Sequence, residues 1–173
     1  MHEELTIVKS RAERLEKEKK LLEAAKDLGV SLDIDGNTVS MDSDSASNLM
    51  MVKDMILAFS RGFSPEMARQ LLNEDYSLVV ININDYTKSN KRQIQLKGRV
   101  IGRHGLIKEK LGKLTMCSLR VYGKTISIIG QYEYASIAES GVEMLLKGMN
   151  FESVFKIVGN KVKEAYINHG RDS

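Results

Sequence analysis

Gly98-Arg99-Val100-Ile101-Gly102-Arg103-His104-Gly105 runs without a break into Leu106-Ile107-Lys108-Glu109-Lys110-Leu111-Gly112-Lys113-Leu114. An apolar turn, Val100-Ile101, meets two glycines that flank two side chains able to carry positive charge. Apolar residues at helical spacing (Leu106, Ile107, Leu111, Leu114) begin just after the second glycine. Glycine admits positive φ and lets another backbone come within contact distance. The helix that follows aims its unpaired N–H groups and the positive end of its dipole at the loop, which favours a phosphate there. The spacing is not G-x-G-x-x-G and no G-K-[ST] follows, so the common nucleotide-binding loops are excluded.

A G-x-x-G between two short helices, with an apolar floor, is similar to the loop of the KH module, which clamps about four nucleotides of single-stranded RNA. For four residues taken alone, a tight turn joining two packed elements is the plainer alternative. Charge tips the balance. Between Lys88 and Lys124 there are eleven basic residues and a single acid, Glu109, a concentration that suits a phosphate-binding surface.

The 173 residues leave room for two small domains or one of ordinary size, and 42% apolar content suffices for a buried core. The net charge of +3 hides an asymmetry: residues 1–50 carry eleven acids against seven bases. Such a split points to a localised nucleic-acid surface. The single cysteine, Cys117, excludes an internal disulfide and fits a reducing compartment; in its apolar, β-rich run it reads as an inert buried thiol. His2, His104 and His169 share no ligand spacing with one another or with Cys117, so no metal or other cofactor is expected. Without a charged leader, an apolar h-region or a membrane-length apolar run, a soluble, cytoplasmic protein is expected.

Ser31-Leu32-Asp33-Ile34-Asp35-Gly36-Asn37-Thr38-Val39-Ser40-Met41 aligns with Ser118 to Ile128 at an offset of 87, with five identities in eleven positions and apolar matches at three more. Each copy reads as strand, tight turn, strand. Each is followed by a helix, roughly Ser45 to Ser60 and Tyr132 to Lys147, so the chain is a duplication. At the same offset the first copy has Leu15-Glu16-Lys17-Glu18 in place of the glycine loop. Two carboxylates stand where phosphates would approach, and Arg11 to Leu28 is expected to be one fused helix. The first copy reads as a packing partner that buttresses the second.

Gly62 is read as a helix stop, and Ser64 as the N-cap, with Pro65 at N1, of a helix to about Asn73. Tyr76 to Ile83 reads as a strand, with a buried helix segment the alternative. Asp85 to Asn90 is a short loop, and Gln93 to Lys97 is taken as the first strand of the second module. Gly148 and Asn150 end one helix and cap another, whose stripe of Phe151, Val154, Phe155, Val158, Val162 and Ala165 is most simply core, a groove for a partner protein being the lesser reading. The tail from Asn168 is expected to fray. The expected fold is α+β: two KH-like modules in the type I order βααββα, each a three-stranded sheet with helices on one face, plus a C-terminal helix. Boundaries fall at 1–62 for a degenerate module lacking G-x-x-G, 63–90 for the connection, 91–148 for the KH module and 149–173 for the last helix and tail.

These features together, with Arg-Gly-Phe-Ser-Pro-Glu between the modules, Gly-Arg-Val-Ile-Gly-Arg-His-Gly, Val-Tyr-Gly-Lys-Thr-Ile-Ser-Ile-Ile-Gly and a Leu-Leu-Lys-Gly helix end, resemble archaeal homologues of the Partner-of-Nob KH proteins. The resemblance covers nearly the whole chain. It implies a ribosome-assembly factor that binds the 3′ region of small-subunit ribosomal RNA. It also implies partners in the endonuclease that trims that RNA and in the alpha subunit of initiation factor two. Carried over by position, Gly102, Arg103, His104 and Gly105 are the G-x-x-G, and Lys97 and Arg99 the basic entry. The chain departs from archaeal relatives that keep a G-x-x-G in the first module.

The expected mechanism is a non-catalytic clamp for single-stranded RNA. Gly102 and Gly105 let phosphates close on the backbone, Arg103 and His104 donate to their oxygens, and Lys108 adds attraction. Bases lie over a floor of Val100, Ile101, Ile107 and Leu111, edged by the Cys117 to Val121 strand, with Arg120 a candidate donor. Tyr122 is the lone aromatic between Lys88 and Lys124, so stacking is not the main attraction. His104 has no nucleophile or metal beside it, and no enzyme or small-molecule substrate is expected. The alternatives are a protein-interaction adaptor, or a KH protein acting on messenger RNA or in an exosome.

Overall fold

The computed structural model describes residues 1–172. Two compact units emerge, Met1–Tyr76 and Ser77 onward, which divides the expected connection at 63–90 between them. The first unit runs β1 (His2–Thr6), α1 (Lys9–Leu15), α2 (Lys19–Asp27), β2 (Ser31–Asp35), β3 (Thr38–Asp42), α3 (Ala46–Ser60) and α4 (Pro65–Arg69). The second runs β4 (Tyr76–Asn82), α5 (Asn90–Ile101), α6 (Leu106–Thr115), β5 (Ser118–Tyr122), β6 (Thr125–Gln131), α7 (Tyr132–Leu146) and α8 (Phe151–Asp172). Both therefore follow βααββα, with sheet orders β1-β3-β2 and β4-β6-β5.

The duplication read from the sequence is present in the hydrogen-bond register. Leu32 lies opposite Met41 in the first hairpin, and Leu119 opposite Ile128 in the second. Two residues turn each corner, and the first of them is glycine at positive φ, 63° at Gly36 and 54° at Gly123. A two-residue hairpin whose first corner residue needs that conformation selects glycine there.

In the first unit the sheet buries one face: Val39 and Met41 are fully buried while Asp42 is exposed. Ala12, Leu15, Leu21 and Ala25 of α1 and α2, and Val52, Met55 and Ile56 of α3, are also fully buried. Ser45 caps α3 by accepting from the Asn48 N–H, and Ser64 caps α4 by accepting from the Met67 N–H, with Pro65 at N1. Helix α4 stops at Arg69 and passes into a 3-10 turn over Gln70–Leu72. In the second unit Leu96 and Val100 of α5, Leu111 of α6, Ile126 and Ile128 of β6, Val142 of α7 and Val158 of α8 share one core. Truncating a fully buried leucine such as Leu111 to alanine typically costs about 2–5 kcal/mol. Asn150 caps α8 through its side-chain oxygen, which accepts from the Ser153 N–H at 2.9 Å. As expected, that helix is docked on its own module, against α6 and α7.

Three expectations are corrected. Gln93 to Lys97 is helical, inside α5, because Gln93, Leu96 and Val100 are buried at helical spacing while Ile94 is 70% exposed. The first strand of the second unit is β4, in the Tyr76 to Ile83 run. The expected single helix over Arg11 to Leu28 breaks at Glu16 to Glu18, because Glu18 leaves helical geometry at ψ 77°. Strand β1, at His2–Thr6, is the first strand that the expected βααββα order requires. Finally, the tail from Asn168 continues α8 to Asp172; its remaining residue, Ser173, lies outside the described residues.

Candidate nucleic-acid interface

Helix α5 begins under Ser89, whose hydroxyl accepts from the Arg92 N–H, and ends at Gly102. Gly102 has φ 73° and ψ 177°, a conformation closed to residues with a Cβ. It is also sterically obligatory: a Cβ there would lie 2.2 Å from Ile107 Cγ1 and 2.9 Å from the Ile107 backbone nitrogen. A 3-10 turn over Arg103–Gly105 follows, with His104 at φ 55° and Gly105 at φ 74°. The Gly105 N–H donates to the Gly102 carbonyl at 3.2 Å, closing the turn. Helix α6 starts at once, so its unpaired first-turn amides face the loop. The nearby acid, Glu109, is paired with Lys113 at 2.9 Å, which holds its carboxyl below the usual range.

The two loop side chains are exposed and serve opposite sides. His104 and Gly105 line a groove of about 540 Å³ that runs along α6 past Lys108 and Gly112 to Met116, Cys117 and Ser118. Arg103 and Gly102 line a separate cavity of about 440 Å³, walled by Ile107, Leu145 and Phe155. Lys110 at its edge lies 4.5 Å over the Phe155 ring.

Other expected residues divide similarly. Lys108 is half-buried in the groove, and Arg120 is half-buried on β5, two residues beyond the Ser118 edge. Lys97 and Ile101 are half-buried on α5. Arg99 is engaged elsewhere: its Nε donates to the Leu145 carbonyl at 2.7 Å and its Nη2 to that of Met149 at 2.6 Å, capping the end of α7. Val100 and Leu111 are fully buried in the core and offer no surface to a ligand. The floor is made instead by Gly112, Cys117 and Leu119.

Sequence reasoning missed two residues of this groove. Gly112 lets α6 approach the start of β5, since a Cβ there would stand 2.9 Å from the Cys117 carbonyl. Met116 ends α6 in the left-handed conformation, φ 54°, and is 64% exposed at the groove's far rim. A glycine inside a helical run was the available signal for the first. Cys117 is half-buried; burial pushes its thiol up, and its Sγ donates to the Thr115 carbonyl at 3.3 Å.

The first unit has no such loop. Leu15 is fully buried, and no residue from Glu16 to Glu18 has positive φ. It nevertheless keeps a hollow of about 530 Å³ at the α2–β2 corner, lined by Lys26, Gly29, Val30 and Ser31. Those positions correspond, at the duplication offset of 87, to Lys113, Met116, Cys117 and Ser118 of the groove. Asp42 and Asp44 also line the first hollow. Among the described residues no helix is long and apolar enough to cross a membrane.

Comparison with known proteins agrees with this geometry. The family model for the second KH domain of PNO1, described as a eukaryotic-type KH domain (KH-domain type I), matches residues 77–163. A KH domain-containing protein of Methanocaldococcus jannaschii is 38% identical over 148 residues, 81% of this chain; the chain spans 65% of that relative's length. The crystal structure of Dim2p from Pyrococcus horikoshii superposes with a TM-score of 0.80 at 30% identity, covering 92% of this chain and 99% of that one. A second structure from P. horikoshii, an a/eIF2alpha–aDim2p–rRNA complex, gives 0.82 at 28% identity, with 95% of each chain covered. A protein of unknown function from Aeropyrum pernix shares the fold, with a TM-score of 0.94 at 24% identity over 99% of this chain and 96% of its own. With the family model matching half of its length and coinciding with the unit that carries the G-x-x-G loop, the chain belongs to the PNO1 family of KH-domain proteins.

Proposed function

We propose that this chain is a non-catalytic, cytoplasmic RNA-binding protein of ribosome assembly that holds the 3′ region of small-subunit ribosomal RNA as a single strand. The observation that carries the reading is the loop closed by Gly102 at the head of α6, set over the groove that His104, Gly105 and Lys108 line. Phosphates approach the loop backbone and the first amides of α6, where Arg103 and His104 add donors from either side. Bases lie along α6 against Gly112, Cys117 and Leu119, and their edges are read along β5. The first unit takes no part through a loop of its own. Partners of this activity are the alpha subunit of initiation factor two, supported by the P. horikoshii complex, and the rRNA-trimming endonuclease.

The test is a fluorescence-anisotropy titration against oligonucleotides from the 3′ end of small-subunit ribosomal RNA with scrambled controls, beside the Arg103→Asp, His104→Asp double variant. Sequence-preferring binding that the double variant loses supports the reading. Binding indifferent to both sequence and loop charge sinks it. One observation favours a second reading, a protein-interaction adaptor. The cavity behind the loop is apolar, bounded by Leu106, Phe151 and Phe155, and its charged residues, Arg99, Arg103 and Lys110, are all basic. Under that reading, loop substitutions leave partner binding untouched.

A further inference from the structure

Helix α8 carries more exposed apolar surface than a helix needs for docking. Val154, Val158 and Ala165 are buried, yet Tyr166 is 73% exposed and Ile167 52%. Tyr166 is held in place from both sides. Ala165 is sequestered next to it, and one turn further on His169 contacts the Glu133 carboxylate at the start of α7, its ring 6.4 Å from that of Tyr134. Tyr166 and Ile167 form a shallow hollow with Tyr134, Val162 and Met116, and Lys163 is the sole charged residue lining it.

Met116 connects this hollow to the groove. It lines both, and its left-handed backbone, φ 54°, sets it out at the corner between α6 and β5. Ten residues of α6 span about 15 Å at 1.5 Å per residue, which sets the Met116 corner that far from the Gly105 end of the groove. A strand that leaves the groove at the Met116 end passes onto carbon surface with a cation beside it. The groove's own basic segment, Lys88 to Lys124, has Tyr122 as its lone aromatic, whereas α8 presents the exposed ring of Tyr166 beside it.

Resting on the RNA-binding reading above, we propose that α8 extends the binding path. A nucleotide beyond the groove stacks its base on Tyr166 across the Met116 shelf, with Lys163 meeting its phosphate. Any base has a face to offer, so this contact adds affinity without adding sequence preference.

The experiment compares a tetranucleotide with octanucleotides that extend the same core at the 5′ side or the 3′ side, titrated against wild type, Tyr166→Ala and Tyr166→Phe, with circular dichroism confirming the fold. One of the two extensions is expected to bind wild type roughly 5- to 150-fold more tightly than the tetranucleotide. Tyr166→Ala should erase that gain and leave tetranucleotide binding as it was, while Tyr166→Phe keeps the gain. 2-Aminopurine placed in the favoured extension should be quenched by wild type and not by Tyr166→Ala. Tetranucleotide binding that depends on Arg103 and His104, with no gain from either extension or a gain that survives Tyr166→Ala, overturns the platform alone. Failure of every oligonucleotide to bind overturns the RNA reading, and the platform with it.

Discussion

Gly102→Ala is the substitution for which the geometry gives the sharpest expectation. The added Cβ would sit 2.2 Å from Ile107 Cγ1, 2.8 Å from Ile107 Cβ and 2.9 Å from the Ile107 backbone nitrogen. Two of those three atoms are fixed to the α6 backbone, so rotating the isoleucine does not relieve the clash. The backbone conformation costs a further ~1–3 kcal/mol for any residue with a Cβ, and overpacking of this kind adds about 1–3 kcal/mol. A loss of about 3 kcal/mol or more follows. At a urea m-value of roughly 1–3 kcal/mol/M, the midpoint falls by about 1–3 M. Gly105→Ala is the internal control: φ is 74° there too, but a Cβ meets nothing within 4 Å, so about 1–2 kcal/mol is expected. Urea titration followed by circular dichroism measures both, and Ile107→Ala should fail to rescue Gly102→Ala. Wild-type stability in Gly102→Ala, or equal losses at the two glycines, would refute the claim that loop closure depends on this contact.

RNA affinity should fall with salt at a log–log slope of roughly −2 to −3 if three or four phosphates are neutralised, and Arg103→Ala should flatten that slope by about 0.7; a flat response in wild type contradicts the clamp. Arg99→Ala is expected to do the reverse, costing about 1–3 kcal/mol of stability through the bonds it loses to the Leu145 and Met149 carbonyls while sparing the slope. Gly130→Ala places a Cβ 2.4 Å from Cys117 Sγ, so it should destabilise, and Cys117→Ala should recover much of the loss in a double-mutant cycle. Burial pushes the Asp54 carboxyl above its ordinary 3.8, with Lys53 opposing in part. The stability linked to that shift is full below the unfolded pKa and is lost as pH rises through the folded one. Asp54→Asn should therefore raise the urea midpoint at pH 7, and its advantage over wild type should shrink as pH falls toward 4.

The parts of the fold legible in the sequence were those with a local physical signature. Both hairpins announce themselves through a corner glycine between β-branched runs, and α4 through Ser64-Pro65. Where two periodicities competed, reading failed. Gln-Ile-Gln-Leu-Lys at 93–97 alternates like a strand, yet Gln93, Leu96 and Val100 mark one helical face, and the Ser89 cap was the overlooked cue. Strand β1 is short, acidic and never fully buried, with an exposed and half-buried alternation too shallow to register. The break between α1 and α2 was visible only as a phase error. At 100° per residue, Leu21 falls about 120° away from the stripe set by Leu15, so one straight helix cannot bury both.

In the candidate site the loop was legible and its surroundings were not. Gly102 to Gly105 carry their conformation in their identity. Val100, Leu111 and Arg99 are apolar or basic in the right neighbourhood, and only tertiary packing shows that two face inward and the third ends a helix. Gly112 and Met116 are shaped by how close α6 comes to β5, a distance no local pattern encodes.

The hollow at the α2–β2 corner, kept where the first unit has no glycine loop, bears on how such chains inherit and shed activity. A recess of this kind comes with the βααββα scaffold itself, whether or not anything occupies it. What differs between the halves is the four-residue stretch at the head of each module's second helix, Gly102 to Gly105 in one and Leu15 to Glu18 in the other. The first unit uses those four positions differently, since Leu15 is fully buried in its core. The two stretches are therefore not interchangeable: Gly102 fits against Ile107 only without a Cβ, and Leu15 fills a place in its own unit's core.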